Sequence, residues 1–105
     1  MCRGVDDLAA ASALLRALAS PHRLGIVRAL AGGPRCVHEL VDALGVSQPL
    51  VSQHLRVLRA GDLVKAERRG REIAYALADH HVTHIVEDAI AHVGESVPQA
   101  QELPA

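Results

Sequence analysis

The stretch VHELVDALGVSQPLVSQHLRVLRA, residues 37–60, decides the fold. Val37, Leu40, Val41 and Leu44 recur at helical spacing and predict a short helix over about 36–44. Gly45 follows as a left-handed C-terminal residue. Two residues on, Ser47 can cap a second helix that runs to about Ala60. A helix, a short glycine turn and a helix make the helix-turn-helix pattern. On a wheel of about 100° per residue, Leu50, Val51, Leu55, Val57 and Leu58 gather on one side of the second helix. Pro49, Ser52, Gln53 and Arg56 lie on the other. Ser, Gln and Arg are side chains that reach base edges and phosphates in a major groove. His54 falls among the apolar residues and reads as a partly buried structural histidine rather than a base reader.

Upstream, Leu8, Ala11, Leu15 and Leu18 predict a helix over 5–18. Ser20-Pro21 is a cap followed by proline at the first helical position. It opens a helix with Leu24, Ile26, Val27 and Leu30 inward, which Gly32-Gly33-Pro34 stops. Downstream of Gly61 the period changes. Residues 63–67 and 71–77 read as two strands around Arg69-Gly70. In the second, Ile73, Tyr75 and Leu77 alternate with Glu72, Ala74 and Ala76, so one face is buried. A last helix is expected from His80 to Gly94 with Asp79 as its cap. Pro98 and Pro104 mark a loose tail. The expected order is α-α-α-α-β-β-α, mainly helical with a β-hairpin wing: a winged helix-turn-helix. Residues 1–97 are expected to form one DNA-binding and dimerisation domain, with 98–105 as a flexible tail.

Composition agrees with one domain. The chain has 105 residues, and its aromatics amount to a single Tyr. Leu, Val, Ile and Ala must build the core, which favours helices packed on helices. A chain this small buries a modest fraction of its surface, so a homodimer is expected. No apolar run is long enough for a membrane span. The N-terminus carries acids where a signal peptide needs a basic head, and two cysteines are too few for a disulfide scaffold. A cytoplasmic location is the default.

Charge is local. Residues 47–71 carry six Lys and Arg against two acids, whereas residues 72–105 carry six acids, no Lys or Arg and four of the seven histidines. The first segment suits nucleic acid and the second a cation. The hairpin tip Arg68-Arg69-Gly70-Arg71 sets three guanidiniums at a tight turn, fit for phosphates or a narrow minor groove. The candidate set for double-stranded DNA is Ser47, Gln48, Ser52, Gln53, Arg56, Arg68, Arg69 and Arg71. A solvated helix face and turn is the bland alternative.

On the last helix, Val82, Ile85, Val86, Ala89, Ile90 and Val93 form an apolar stripe. His81, Asp88, His92 and Glu95 line one border of it. His80, His84 and Glu87 lie roughly opposite and read as solvated. His92 and Glu95, at i and i+3, can point at one ion. Asp79 and His81 straddle the helix start and can also converge. But His81 and His92 are eleven residues apart, roughly 16 Å along a helix, while two ligands of one zinc lie within roughly 4 Å of each other. One helix cannot close the site. Two such helices, antiparallel across a dimer axis, can: Asp79 and His81 of one chain meet His92 and Glu95 of the other, and symmetry gives two Zn²⁺ sites per dimer. Four nitrogen and oxygen ligands describe a closed tetrahedral site. The alternative is a polar rim of a dimer helix, with Asp79 only a cap.

Together these residues resemble the ArsR/SmtB family of metal-sensing repressors over about residues 8–96. The matching stretches are Cys36-Val37-His38-Glu39-Leu40, residues 46–56, Arg69-Gly70-Arg71-Glu72, Asp79-His80-His81 and His92-Val93-Gly94-Glu95. The zinc sensors of that family use an Asp-x-His pair and a His-x-x-Glu pair from opposite subunits, which Asp79, His81, His92 and Glu95 match. The resemblance implies an apo dimer that binds an imperfect palindromic operator and represses, and zinc that favours a conformation fitting DNA poorly. It also implies that His92 passes a hydrogen bond toward the backbone near Asp62. A second family site uses N-terminal cysteines with Cys-x-Cys or Cys-x-x-Asp near the third helix. Here that pattern is incomplete. Cys36 is present, His38 replaces the second Cys, Glu39 stands where an Asp is expected, and Cys2 is the sole N-terminal thiol. A Cys2/Cys36/His38 site for a softer metal is one reading; ordinary thiols are the other. Rival functions are a cobalt or nickel sensor and a Cys2/Cys36 redox sensor. A metal-dependent hydrolase is disfavoured, because no residue is placed as a general base. The chain is not expected to be an enzyme.

Overall fold

The structure is a computed structural model that describes the backbone of residues 3–102 and the side chains of residues 6–95. Its elements are α1 (Arg3–Leu18), α2 (Pro21–Leu30), β1 (Arg35–Cys36), α3 (Val37–Leu44), α4 (Gln48–Ala60), β2 (Val64–Arg69), β3 (Glu72–Leu77) and α5 (His80–Glu102). The winged helix-turn-helix expected from the sequence is the observed fold, with one strand more.

Each helix starts and stops for a local reason. Ser20 is extended, with φ −158° and ψ 131°, and its hydroxyl accepts from the Arg23 N–H at 3.3 Å. At α3 the Glu39 carboxylate turns back to accept the Cys36 N–H at 2.8 Å, satisfying a donor that the helix leaves open. Gly45 stops α3 at φ 70°, with its N–H on the Val41 carbonyl at 2.8 Å. That left-handed step, which glycine takes without a Cβ penalty, turns the chain from α3 into α4.

At the end of α4 the left-handed residue is Asp62, at φ 59°, rather than Gly61. The Leu63 N–H reaches the Leu58 carbonyl at 2.9 Å and the Asp62 N–H the Arg59 carbonyl at 3.0 Å, the paired bonds of a Schellman cap. Leu58 and Leu63 are both buried, as that cap requires. A left-handed conformation costs a side chain that glycine lacks. Asp62→Gly is therefore expected to raise the urea midpoint at fixed protein concentration, the net gain in stability being about 0.5–1 kcal/mol after the entropic cost of glycine. An unchanged or lower midpoint would mean that the Asp62 side chain supports the turn.

The strands form one antiparallel sheet in the order β1-β3-β2. In the wing, Arg69 faces Glu72, which leaves Gly70 and Arg71 as a two-residue loop. Gly70 has φ 60°, and a type II′ turn needs positive φ at its first central residue alone. The strand missed by the periodicity is β1, whose Arg35 faces Tyr75 and whose Cys36 faces Ala74. Two residues carry no alternation, so only this long-range pairing reveals the strand. Its effect is to fasten the start of α3 to the wing.

The core gathers where these elements meet: Ile26, Val27, Leu40, Val51, Leu55, Leu58, Leu63 and Val86 are all below 2 % exposed. On α4 this buries the expected side, except that Leu50 is half-buried and Val57 sits exposed at its rim. The last helix runs on past Gly94 and Pro98 to Glu102. Gly94 lowers helix propensity without forbidding helix, and proline removes one donor. The two terminal helices leave apolar groups uncovered: Leu8 is 72 %, Leu15 55 % and Val93 56 % exposed. An apolar groove lined by Leu15, Leu24, Ala89, Ile90 and Val93 runs between them.

Candidate nucleic-acid interface and metal centre

Helix α4 and the wing carry the basic groups on their exposed surface. Gln48, Gln53 and Arg56 are exposed and Ser52 half-exposed. Ser47 holds the capping position with φ −67° and ψ 155°, but its side chain makes no cap hydrogen bond, so the helix start does not consume it. Arg68, Arg69 and Arg71 are exposed at the wing, where an Arg68 N–H reaches the Gly70 carbonyl at 3.5 Å. Between helix and wing lies a cleft of about 390 Å³ lined by Ser52, Arg56, Arg59 and Tyr75. Arg59 was absent from the sequence-based set. It lies three residues after Arg56, one turn along the same helix, and that spacing was the available signal.

His54 is not part of this surface. It is half-buried, its Nδ1 accepts from Arg23 at 3.2 Å, and the His22 ring stands 5.4 Å away. Burial, then the charges of Arg23 and His22, push its pKa down. A neutral ring accepting at Nδ1 carries its proton on Nε2, and that atom is buried without a partner. His54 therefore joins α4 to α2, as its place on the wheel implied.

At the start of α5 the Asp79 carboxylate accepts the His81 N–H at 2.8 Å, and the same oxygen lies 3.3 Å from His81 Nδ1. Burial pushes the Asp79 carboxyl up. The His81 N–H, the His81 imidazole and the Val82 N–H outweigh it and hold the group below the usual carboxylate range. His92 and Glu95 are exposed farther along the helix. Among the described residues, no three donors on α5 come within 4.8 Å of one another. The structure thus pairs Asp79 with His81 and keeps them apart from His92 and Glu95, as the helix rise requires. His80, expected opposite this group, instead stacks on His81 at 4.4 Å, and it meets His84 edge-on at 5.7 Å. Glu87 departs from the solvated reading: it pairs with Arg28 of α2 at 3.6 Å.

Cys36 and His38 come together, with a third residue that the sequence reading missed. Cys36 is 8 % exposed, and its thiol donates to Glu72 Oε1 at 3.1 Å. His38 Nδ1 lies 4.0 Å from Glu72 Oε2. The hydrogen bond to Glu72, then burial, then the negative charges of Glu72 and Glu39 push the thiol up, while Arg69 opposes them. Glu72 reads in the sequence as an outward wing position, and only the pairing of β1 on β3 brings it to Cys36. Cys2, the other thiol of the expected second site, lies outside the described residues.

Comparison with known proteins places these features in a family. Residues 20–66 match the family described as "Bacterial regulatory protein, arsR family". The chain is 64 % identical over 90 residues to "HTH-type transcriptional repressor SmtB" of Mycobacterium tuberculosis, covering 86 % of this chain and 67 % of that protein. It is 46 % identical over 90 residues to "HTH-type transcriptional regulator NmtR" of the same organism, covering 84 % of this chain and 75 % of that one. Among solved structures, it is similar to a homodimeric winged helix-turn-helix DNA-binding domain from Mycobacterium bovis, at a TM-score of 0.78 and 27 % identity, covering 98 % of this chain and 94 % of that one.

Proposed function

The chain belongs to the ArsR family of bacterial regulatory proteins, and from that premise we propose a zinc-responsive repressor that works as a homodimer in the cytoplasm. It is an SmtB-like transcriptional repressor, and its relatives are regulators rather than enzymes. The observation that carries the zinc reading is the Asp79–His81 pair, 3.3 Å apart, on the helix that also bears His92 and Glu95. Two nitrogen and two oxygen donors suit Zn²⁺, so the residues fit that ion. Asp79 and His81 of one protomer, with His92 and Glu95 of its partner, would hold it, giving two sites per dimer. When bound, zinc supplies a positive charge that ties side chains of two chains together.

The chain's own groups divide the rest of the work. Hydrogen bonding by the His81 and Val82 N–H groups keeps Asp79 ionised and aimed beside His81. The apolar stripe of α5 and the exposed face of α1 bring two copies together. Ser47, Gln48, Ser52, Gln53 and Arg56 enter the major groove of double-stranded operator DNA. Arg68, Arg69 and Arg71 reach its backbone. Titrating zinc into a complex of the apo protein with a labelled duplex selected for tight binding tests the whole reading. Release of the duplex is expected, and retention at saturating zinc would overturn it.

Two further outcomes are expected. Sedimentation at micromolar concentration should find a dimer, since small chains with uncovered apolar faces pair. A stable monomer would remove the shared site. Gln53→Ala should relax preference at one base pair by about 1–3 kcal/mol while leaving random-sequence binding almost unchanged. Equal losses on selected and random duplexes would take Gln53 out of the base-reading set.

A further inference from the structure

We propose that Cys36, His38 and Glu72 form a separate metal site within a single protomer, for a divalent cation of borderline softness such as Zn²⁺, Co²⁺ or Cd²⁺. The three donor atoms lie within 4.8 Å of one another, one sulfur, one nitrogen and one oxygen. The Sγ–Oε1 distance of 3.1 Å and the Nδ1–Oε2 distance of 4.0 Å already match the roughly 3–4 Å between ligands that share one such ion. The site stands on the wall of a cavity of about 320 Å³ that Gln48, Ile73 and Tyr75 also border. Cys36 forms its floor, while the His38 and Glu72 side chains are 65 % and 59 % exposed and give an ion a path in.

Charge and proton balance are simple. In the metal-free protein the Cys36 sulfur keeps its proton and donates it to Glu72. On binding, that proton leaves to solvent and the sulfur–metal bond takes its place. A thiolate and a carboxylate then cancel the two charges of the cation, with neutral His38 as the third ligand and water at the fourth position. Burial disfavours a lone thiolate, so the ion completes what the floor of the cavity lacks.

The placement links the site to DNA. Cys36 precedes α3, Glu72 opens β3 opposite Arg69, and Gln48 opens α4. An ion held by the three ligands fastens the tip of the wing to the start of α3. The three ligands come from one protomer, and the site is independent of the shared one on α5.

The test uses full-length protein carrying Asp79→Ala and His92→Ala, which disables the α5 ligands. Titration with Co²⁺ is expected to raise a thiolate-to-cobalt charge-transfer band in the near ultraviolet that saturates at one equivalent per protomer. Adding Cys36→Ser should abolish the band. Adding Glu72→Gln should weaken Co²⁺ binding at least about tenfold with the far-ultraviolet dichroism unchanged, and Cys2→Ser should leave it as it was. No band, or a band insensitive to Glu72→Gln but lost with Cys2→Ser, overturns the proposal. Either result leaves release of DNA from the parent by zinc standing or falling separately.

Discussion

Replacing His92 by Ala is expected to leave the protein on its operator at zinc concentrations that release the parent. Each of the two proposed symmetric sites would draw one His92, so a single substitution would remove a ligand from both. Operator binding should survive, because His92 sits on α5 and the basic groups sit on α4 and the wing. The size of the effect follows from linkage. If zinc lowers DNA affinity, DNA lowers zinc affinity by the same factor, and a coupling of about 1–3 kcal/mol corresponds to roughly 5- to 150-fold. His92→Ala should lose that whole factor and repress permanently. His84→Ala should behave like the parent, since the ring contact of His84 is with His80 and the Asp79–His81 pair forms without it. The measurement is duplex release against zinc for the parent and both variants. If His92→Ala still releases at the parent's zinc concentration and His84→Ala does not, the His80–His84 side holds the sensor.

Most of the fold was legible because its signals are local. Apolar spacing, Ser20-Pro21 and Gly45 each specify geometry within a few residues of themselves, and the observed ends of α2 and α3 follow them. What stayed hidden depends on long-range pairing or on a choice between near-equal local options. β1 exists because Arg35 and Cys36 find β3, some forty residues away in sequence. Glu72 reaches the thiol for the same reason, so a residue that alternates outward in a hairpin turns out to face α3. At the end of α4 stands Gly61, and glycine is the residue that takes a left-handed step most readily. The Schellman bonds put that step one residue later, on Asp62, so that Leu63 can pack on Leu58. The α5 ligands divide in the same way. The closeness of Asp79 to His81 follows from one turn of chain, whereas the partners proposed for them would come from another copy.

The wing should contribute affinity without sequence preference, and Arg69→Ala combined with Arg71→Ala is expected to show it. Both side chains are exposed on either side of Gly70, with no acid within ion-pairing distance among the described residues. Guanidiniums so placed neutralise phosphates and release counterions. Each lost contact should flatten the slope of log K against log salt by about 0.9, so the double variant should lose about 2. Affinity near physiological salt should fall roughly 10- to 100-fold, by the same factor on selected and on random duplexes. Lowering the salt concentration should widen the gap from the parent, since the parent gains more from each released ion. A weaker complex with an undiminished salt slope would mean that the two arginines hold the wing in shape rather than touch phosphate. A loss confined to the selected duplex would instead place one of them in the minor groove, reading its width.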